Sequence, residues 1–185
     1  NDMRYFRPYG SDKSIVTSVI VRLSVDASSA DIRHVVLDEN GRFTDYVHSK
    51  LDRCLVSNAN IDQTARAFVK DAIFTMLEHG HVAIVPTKTD INPVQADKDG
   101  EQFDPEALRV GIVEDWKPHY VQVSVYNEDS GKRESIVLPK NIVAIAYNPF
   151  YETMNRPNSI AQRINRKFAI LDFVDEQTGS PKLES

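Results

Sequence analysis

The sequence has little of what binding and catalytic sites are usually built from. Its 185 residues include one cysteine, Cys54, and seven glycines. A single cysteine excludes an intrachain disulfide and favours a reducing compartment, and few glycines leave little material for a phosphate-binding loop. No apolar run reaches the roughly 18 residues that a membrane-spanning helix needs. We therefore expect a chain that folds around an ordinary apolar core and has no membrane partner.

The common catalytic motifs are missing as well. There is no P-loop, no dinucleotide-binding glycine pattern, no serine-hydrolase elbow and no His-Glu-x-x-His zinc motif. The 27 acidic residues allow many carboxylate pairs, but nothing in the sequence singles out one pair as catalytic. We therefore expect no enzyme activity, no catalytic residue and no bound cofactor.

Positive charge is in deficit, since 22 basic residues face 27 acidic ones for a net charge of −5. Proteins whose affinity comes from neutralising phosphates are usually basic. The balance disfavours tight nucleic-acid binding as the main activity, although nucleic acid could still pass along an acidic wall. One basic cluster stands out: Arg156, Arg163, Arg166 and Lys167. Three interpretations stay open for this cluster: a solvated surface, a contact with nucleic acid and a contact with an acidic protein neighbour.

Residues 62–86 carry the strongest structural signal. Apolar side chains recur there at helical spacing on one face: Ala65, Phe68, Val69, Ala72, Ile73, Met76 and Leu77. Gly80 follows where helices commonly end with a residue at positive φ. The apolar run at residues 81–85 then favours a buried strand, which we expect Pro86 to end. The stretch predicts a packing unit rather than a chemical site.

The first element of the chain is expected at residues 15–23. Their apolar positions fit a helix that Ser11 or Asp12 would cap. Many of these residues are β-branched, so a strand stays open as the alternative. Residues 26–30 are small and polar, and they are expected to break the pattern.

Two further elements are expected before the central helix. Asn40-Gly41 lies between two extended runs, which is the strongest short-range signal for a β-hairpin. Residues 48–56 predict a short helix. After it, Asn60 or Asp62 is the expected N-cap of the central helix.

The sequence after Pro86 changes character. Residues 87–105 are polar and show no periodicity, which predicts a long exposed loop. Strands are then expected at residues 107–113, 119–126, 134–138 and 141–147. An aromatic connector at residues 150–157 leads to a second amphipathic helix that starts at Asn158. The predicted fold class is α+β, with antiparallel β-hairpins packed on a few amphipathic helices and one helix leaving at the C-terminal end.

Three side chains could in principle share a metal ion: His79, His81 and Cys54. The ordinary interpretation is favoured for each of them. His79 belongs to the last turn of a helix, where positive charge suits the helix dipole, and His81 opens a strand. Cys54 lies on the apolar side of a short helix, which is typical of a buried structural thiol. We expect no metal site.

The segment around Gly100 has some of the features of a calcium loop. It contains Asp97, Asp99, Glu101 and Asp104. The glycine is misplaced for such a loop and the closing glutamate is missing, so a solvated acidic loop is favoured. Trp116 could face a ligand, but packing at the end of a strand is the favoured interpretation.

Several segments, taken in order, carry a resemblance to a known family. LDRCLVSNANIDQTARAF and FVKDAIFTMLEHGHVAI, over residues 51–84, form a short helix, an Asn-rich link, a helix, a glycine and a strand. SIVLP and IVAIAY follow at residues 135–147, and NPFYETMNRPNSIAQRINRKFAILDF follows at residues 148–173. In this order the segments resemble the wing, late strands and stem approach of portal proteins of long-tailed bacteriophages and their prophages. The resemblance covers residues 12–174 and depends on the order of the segments.

The resemblance implies a structural subunit of a homo-oligomeric ring, usually a dodecamer, at one vertex of a capsid. Double-stranded DNA would enter through the ring during packaging and leave through it at infection, without sequence-specific contacts. The terminase large subunit would dock on the ring and supply ATP hydrolysis, and head–tail connector and capsid proteins would be further partners. The implied location is the virion, after assembly in the host bacterial cytoplasm.

The resemblance also implies a division of the chain. Residues 1–154 would form a wing-like α+β domain, residues 155–174 a helix leading towards a stem, and residues 175–185 a polar tail. Portal proteins are longer and have a clip region and a crown, so we expect this chain to be a fragment cut short of the clip. The motifs of the family are structural, so only the basic cluster is left as a candidate surface facing DNA or a neighbouring subunit.

Two alternatives stay open at this point. One is an α+β interaction module unrelated to portals, or a small metal- or ligand-binding protein that uses His79, His81 or Cys54. The other is a nucleic-acid-binding module that uses the basic cluster in spite of the acidic overall balance.

Overall fold

The structure of the protein is a computed structural model, which describes residues 15–151 and residue 170. Its helices are α1 (Ile15–Ala27), α2 (Lys50–Val56), α3 (Ala65–His79) and α4 (Pro93–Asp99). Its strands are β1 (Val35–Leu37), β2 (Phe43–Tyr46), β3 (His81–Thr89), β4 (Pro105–Trp116), β5 (Tyr120–Asn127), β6 (Lys132–Pro139) and β7 (Ala144–Tyr147). The fold class is α+β, as predicted. No described helix is long and apolar enough to span a membrane.

Two antiparallel sheets organise the described chain. The larger has five strands in the order β6-β5-β4-β3-β7, and the smaller pairs β1 with β2. Gly41, at φ 74°, lies in the turn of the β1–β2 hairpin, which confirms the hairpin predicted from Asn40-Gly41. The strands predicted after residue 105 are also present, except that the last one begins only at Ala144, because Lys140–Ile142 form a turn of 3-10 helix.

The predicted helix, glycine and strand are confirmed in the central stretch. The side chains of Phe68 and Val69 on α3 are buried, and Ile73 and Met76 pack against the same core from its edge. Gly80 ends the helix at φ 81°, a left-handed conformation that glycine adopts without steric strain. The chain turns directly into β3, so the helical face and the strand share one core.

The N-cap of α3 is Thr64, so the expectation of Asn60 or Asp62 is wrong. The Thr64 hydroxyl accepts a hydrogen bond from the backbone N–H of Ala67 at 3.3 Å. Asn60 is buried instead, and its amide donates to the carbonyl oxygen of Leu108 on β4 at 2.8 Å. Its side-chain oxygen accepts from the N–H of Asp62 at 3.0 Å. Asn60 therefore anchors the link before α3 to the sheet.

β3 runs through Pro86 to Thr89, so the expectation that Pro86 ends the strand is wrong. On one side β4 pairs with β3 as far as Thr89, with register shifts after Pro86. On the other side β7 pairs only with the residues from His81 to Ile84. Pro86 thus lies where one edge of β3 has no ladder partner among the described strands, and a missing N–H is tolerated there.

Residues 87–105 are not a loop throughout, because they contain α4. The side chain of Asn92 caps the first turn by accepting from two backbone N–H groups, and Pro93 takes the first helical position. Gly100, at φ 70°, ends the helix. This helix is set by its caps rather than by an apolar face, which is why periodicity did not predict it.

The five-stranded sheet has an apolar core on each face. α2 and α3 cover one face, whose core includes Cys54, Phe68 and Val82. The second core lies on the other face and is built from strand residues and the 3-10 turn: Ala83, Val85, Val113, Val121, Val123, Val125, Ile142 and Val143. Val82 and Ala83 contribute to the cores on opposite faces, because successive side chains of a strand point to alternate faces of the sheet. β3 and β4 therefore contribute to both cores, whereas β6 and β7 are mostly exposed.

The chain divides into two compact units, of which Ser24–Asn148 is the larger. α1 begins in the smaller unit and ends in the larger one. Its helical conformation confirms the predicted helix, and the strand alternative is wrong. Several predictions lie outside the described residues: the cap at Ser11 or Asp12, the connector beyond residue 151, the start of the second helix at Asn158, the helix at residues 155–174 apart from residue 170, and the tail at residues 175–185.

Candidate functional site

The structure does not bring together the three side chains that could have shared a metal. Cys54 is fully buried in the core under α2, and burial raises the pKa of its thiol. His79 ends α3, whereas the ring of His81 meets Trp116 edge-on. Among the described residues, no group of three or more His, Cys, Asp and Glu side chains is placed to hold a metal. Cys54 is a buried structural thiol, as predicted.

Polar atoms at the junction of α3 and β3 are buried without a hydrogen-bond partner in the described chain: Glu78 Oε2, His79 Nε2 and His81 Nε2. His79 Nε2 lies 3.5 Å from Glu78 Oε2. This contact lies at the C-terminal end of α3, where positive charge is favoured. The prediction that His79 belongs to the last helical turn and that His81 opens a strand is confirmed.

The acidic residues around Gly100 do not share one site. Asp97 and Asp99 lie on α4. Asp97 accepts a hydrogen bond from the side chain of Asn141, and Asp99 accepts one from Gln95 at 2.6 Å. Both carboxylates therefore stabilise the short helix or its contact with the 3-10 turn.

Asp104 has a separate structural role. Its carboxylate accepts hydrogen bonds from the backbone N–H of Lys50 at 2.8 Å and of Leu51 at 3.0 Å. Its own N–H donates to Asp90 at 2.8 Å. Asp104 thus accepts from backbone N–H groups that have no partner within the first turn of α2. Its negative charge also interacts favourably with the helix dipole there. The expectation of one solvated acidic loop is wrong for this residue.

Trp116 ends β4 and belongs to a partly exposed cluster that we call the aromatic patch: Trp116, Tyr147, His81 and Lys140. The Trp116 ring stacks with Tyr147 at a centroid distance of 6.0 Å and an interplanar angle of 18°. His81 meets its edge at 5.4 Å, and Lys140 Nζ lies 5.7 Å from its centroid, a cation–π arrangement. Packing at a strand end is confirmed, but Trp116 and Tyr147 are still 42% and 60% exposed.

Asp52 on α2 anchors the small hairpin to the rest of the larger unit. It accepts from Arg33 Nε at 3.2 Å, from a second guanidinium nitrogen at 3.3 Å, and from the backbone N–H of His34 at 3.1 Å. The hydrogen bonds from Arg33, followed by the one from His34, hold the pKa of Asp52 below its ordinary value. The ring of His34 also contacts the hydroxyl of Ser49, the N-cap of α2, at 2.8 Å.

The β1–β2 hairpin presents an apolar surface that we call the hairpin face: Leu37, Phe43 and Tyr46. Leu37 pairs with Phe43, and the irregular register lets Phe43 and Tyr46 share one side with ring centroids 5.0 Å apart. These side chains are 55%, 56% and 47% exposed. Apolar patches of this kind mark interaction sites more often than isolated apolar residues do.

A buried arginine on β4 links three parts of the larger unit. Arg109 donates to Asp62 at 2.5 Å and to Glu128 at 2.6 Å, and its guanidinium lies 4.8 Å from the centroid of Tyr126. Burial lowers the pKa of Arg109, but the two carboxylates more than offset this and raise it. Through Nε and one terminal nitrogen of its guanidinium, Arg109 ties the link before α3 to the β5–β6 turn.

Two small cavities share Phe103, Asn141 and Ile142, with volumes of about 270 and 280 Å³. One also has Asp97 and Glu101 in its wall, and the other is lined mostly by apolar residues. Ligand pockets usually combine an apolar lining with a few convergent polar groups. Neither cavity has that combination, so the surfaces of the molecule are better candidates for function.

The predicted basic cluster lies outside the described residues, and its role stays a prediction: Arg156, Arg163, Arg166 and Lys167. Sequence reasoning also missed Asp52, Arg109 and the exposure of the hairpin face. The alternation of apolar residues in the hairpin was a usable signal for strands, but it did not tell which side would be covered.

Comparisons with known proteins add a distant structural likeness. No protein-family model and no curated protein matches the chain. A solved chain described as "Neck of empty GTA particle computed with C6 symmetry" is similar with a TM-score of 0.46 and 12% sequence identity. The match covers 91% of this chain and 43% of that one, so the chain spans less than half of its length. A likeness this weak carries no argument about function.

Proposed function

We propose that the chain is part of a bacteriophage portal protein, a structural subunit of a ring at one capsid vertex. The observation that supports this is the order of elements over residues 51–84, which resembles the portal wing. In the fold these elements are α2, the link anchored by Asn60, α3, Gly80 and β3. They pack as one unit, so the resemblance extends over a contiguous piece of core rather than over scattered matches.

In this proposal the chain does no catalysis. Double-stranded DNA passes through the ring during packaging and ejection, and the terminase large subunit supplies the ATP hydrolysis. A net charge of −5 suits a channel along which DNA slides, because few counterions are released into a fixed contact. Asp52 and Arg109, charged groups with three side-chain hydrogen bonds each, tie elements of the fold together, which fits a structural protein.

The proposal assigns the basic cluster to DNA or to a neighbouring subunit. Arg163→Ala with Arg166→Ala is expected to reduce retention on a DNA column at moderate salt if the cluster faces DNA. Arg42→Ala with Lys132→Ala removes the same charge from exposed sites of the described chain and serves as the matched control. Equal losses for both pairs would show a general charge effect and contradict a DNA-facing role.

The direct test is the assembly state of the complete protein that contains this chain. Negative-stain electron microscopy and native mass spectrometry are expected to find closed rings with a central channel, formed in the bacterial cytoplasm before the particle is complete. Connector and capsid proteins are the expected partners of such rings in the virion. A complete protein that stays monomeric at all accessible concentrations would overturn the proposal.

A further inference from the structure

Residues 90–104 form a closed loop that we call the strap, and α4 lies in its middle. The two ends of the strap meet. The N–H of Asp104 donates to Asp90 Oδ1 at 2.8 Å, and the N–H of Asp90 donates to the carbonyl oxygen of Asp104 at 3.3 Å. The hydrogen bond from Asp104 lowers the pKa of Asp90, because it stabilises the charged carboxylate. Asp104 is itself bound to the first turn of α2, so the base of the strap is firmly held.

The middle of the strap is held by much less. Among the described residues, one hydrogen bond joins residues 91–103 to the rest of the larger unit, and it runs from the side chain of Asn141 to Asp97. We call this bond the latch. Apart from Phe103 near the base, Ala96 is the buried apolar residue of the strap. A helix of seven residues is too short to be stable by itself in water, so the position of α4 depends on these few contacts.

The strap closes the two small cavities of the larger unit. Phe103 from the strap lines both cavities, together with Asn141 and Ile142 from the 3-10 turn. The strap supplies most of the wall of the first cavity, whereas the second continues to Pro86 and Val143. Because Phe103 belongs to both walls, an outward movement of the strap would join the two cavities into one groove with an apolar floor.

Two buried residues of the same core differ in what covers them. Ile142 lies in the 3-10 turn that α4 contacts, and Val123 lies on β5, which is paired with β4 on one side and β6 on the other. Proteins open locally where few contacts hold a segment, at a free energy below that of global unfolding. Ile142 can therefore become exposed when the strap moves, but Val123 only when the sheet opens.

We propose that the strap is a lid, which opens about its base when the latch between Asp97 and Asn141 breaks, while the five-stranded sheet stays folded. Opening uncovers Phe103 and Ile142 and turns the two cavities into one apolar groove. The lid is a conformational device of the fold and does not depend on the portal assignment.

Thiol labelling of cysteine variants tests the lid. Ile142→Cys replaces a side chain that is 5% exposed beneath the strap, and Val123→Cys replaces one that is 0% exposed in the same core. Labelling by Ellman's reagent is followed at increasing urea below the unfolding transition, and the stability of each variant is measured by urea denaturation. Ile142→Cys is expected to react at least about tenfold faster than its global unfolding allows, with little dependence on urea, because local opening exposes little surface. Val123→Cys is expected to react only at the rate set by global unfolding. Cys54 is fully buried in the other core, and the unmodified chain measures its contribution.

Asp97→Ala removes the latch and is combined with each cysteine variant. It is expected to accelerate the labelling of Ile142→Cys by about three- to tenfold, which is the effect of losing one hydrogen bond. The labelling of Val123→Cys should stay unchanged, relative to the stability of that variant. Lys98→Ala is the matched control, because Lys98 is exposed on the same helix and makes no side-chain hydrogen bond in the described part of the chain. It should change neither rate.

Three outcomes would overturn the lid. The first is labelling of Ile142→Cys only at the rate of global unfolding, and the second is equal acceleration of both cysteine variants by Asp97→Ala. The third comes from hydrogen exchange of the unmodified chain, which keeps the test open if a cysteine variant does not fold. The amides of α4 are expected to exchange much faster than those of β5, and equal protection of the two elements would show that the strap opens only with the sheet.

Discussion

The five-stranded sheet and the β1–β2 hairpin are both antiparallel, yet they are held in different ways. The sheet carries an apolar core on each face, with Phe68 at 1% exposure in one core and Val123 at 0% in the other. The hairpin buries none of the β2 side chains and depends on the hydrogen bonds of Asp52. Pairing alone therefore does not explain the stability of either region, since apolar burial stabilises one and a carboxylate anchors the other.

The difference has a functional meaning. Regions with few buried contacts open at low free energy, and binding elements are commonly drawn from them. The sheet supplies a rigid support, and the hairpin supplies an exposed surface fixed at its base.

Phe68→Ala is expected to give the largest loss of stability. Its side chain lies in the core between α3 and the sheet, so truncation removes apolar burial and leaves a cavity. Phe to Ala substitutions in cores typically cost about 3–5 kcal/mol of the free energy of unfolding. Urea denaturation followed by circular dichroism measures the loss. A change below about 1 kcal/mol would show that this core is not packed as described.

Asp52→Asn is expected to have a smaller effect, concentrated in the hairpin. The folded pKa of Asp52 is lowered, so its contribution to stability is present above the unfolded pKa and is lost as pH falls through the folded pKa. The difference between variant and parent should therefore be largest near neutral pH and shrink on acidification. Hydrogen exchange is expected to accelerate in β1 and β2 and to stay unchanged in β4 and β5.

Glu39→Gln is the control for Asp52→Asn, because it neutralises an exposed carboxylate in the turn of the same hairpin. It should leave exchange in β1 and β2 unchanged. If exchange in β4 accelerates as much as in β2 for Asp52→Asn, the hairpin is not a separately anchored element.

Asp71→Asn is expected to stabilise the protein, with the opposite pH dependence. Burial raises the pKa of Asp71 above its ordinary value, although the hydrogen bond from Gln63 and the charges of Arg133 and Lys70 act against this. Folding thus favours the neutral carboxyl. Its contribution to the stability of the folded protein is present below the unfolded pKa and is lost as pH rises through the folded pKa. A gain of up to about 1 kcal/mol is expected at neutral pH, with none in acid.

The measurement is the melting temperature of the Asp71→Asn variant at neutral and acidic pH, with Asp129→Asn as an exposed control. The oxygen of the new amide still accepts from Gln63, whose amide lies 3.2 Å from the carboxylate. A loss of stability at neutral pH would show that Asp71 works mainly as a charged partner.

Much of the core could be predicted because its signals are local. The helical spacing from Ala65 to Met76 predicts α3, and Gly80 predicts where it ends, without any tertiary information. The N-cap could not be predicted in this way. Asn60, Asp62 and Thr64 are all good capping residues, and only the bond from Asn60 to Leu108 takes the first of them away from the helix.

The errors around the functional surfaces have a related cause. α4 has no apolar face. Its formation depends on its caps at Asn92 and Gly100 and on the contact from Asp97 to Asn141. The hairpin was predicted from Asn40-Gly41, but its exposure depends on what packs against it. Local sequence therefore determines which elements form, whereas long-range contacts determine which surfaces stay open.

Phe43→Ala is expected to have the smallest effect on the stability of the monomer and is the matched partner of Phe68→Ala. Phe43 is 56% exposed, so its truncation should change the free energy of unfolding by no more than about 0.5 kcal/mol. Thr44→Ala is the control for a neighbouring substitution without loss of a ring. If Phe43→Ala destabilises the monomer as Phe68→Ala does, then the hairpin face is covered within its own chain, and the contrast between sheet and hairpin fails.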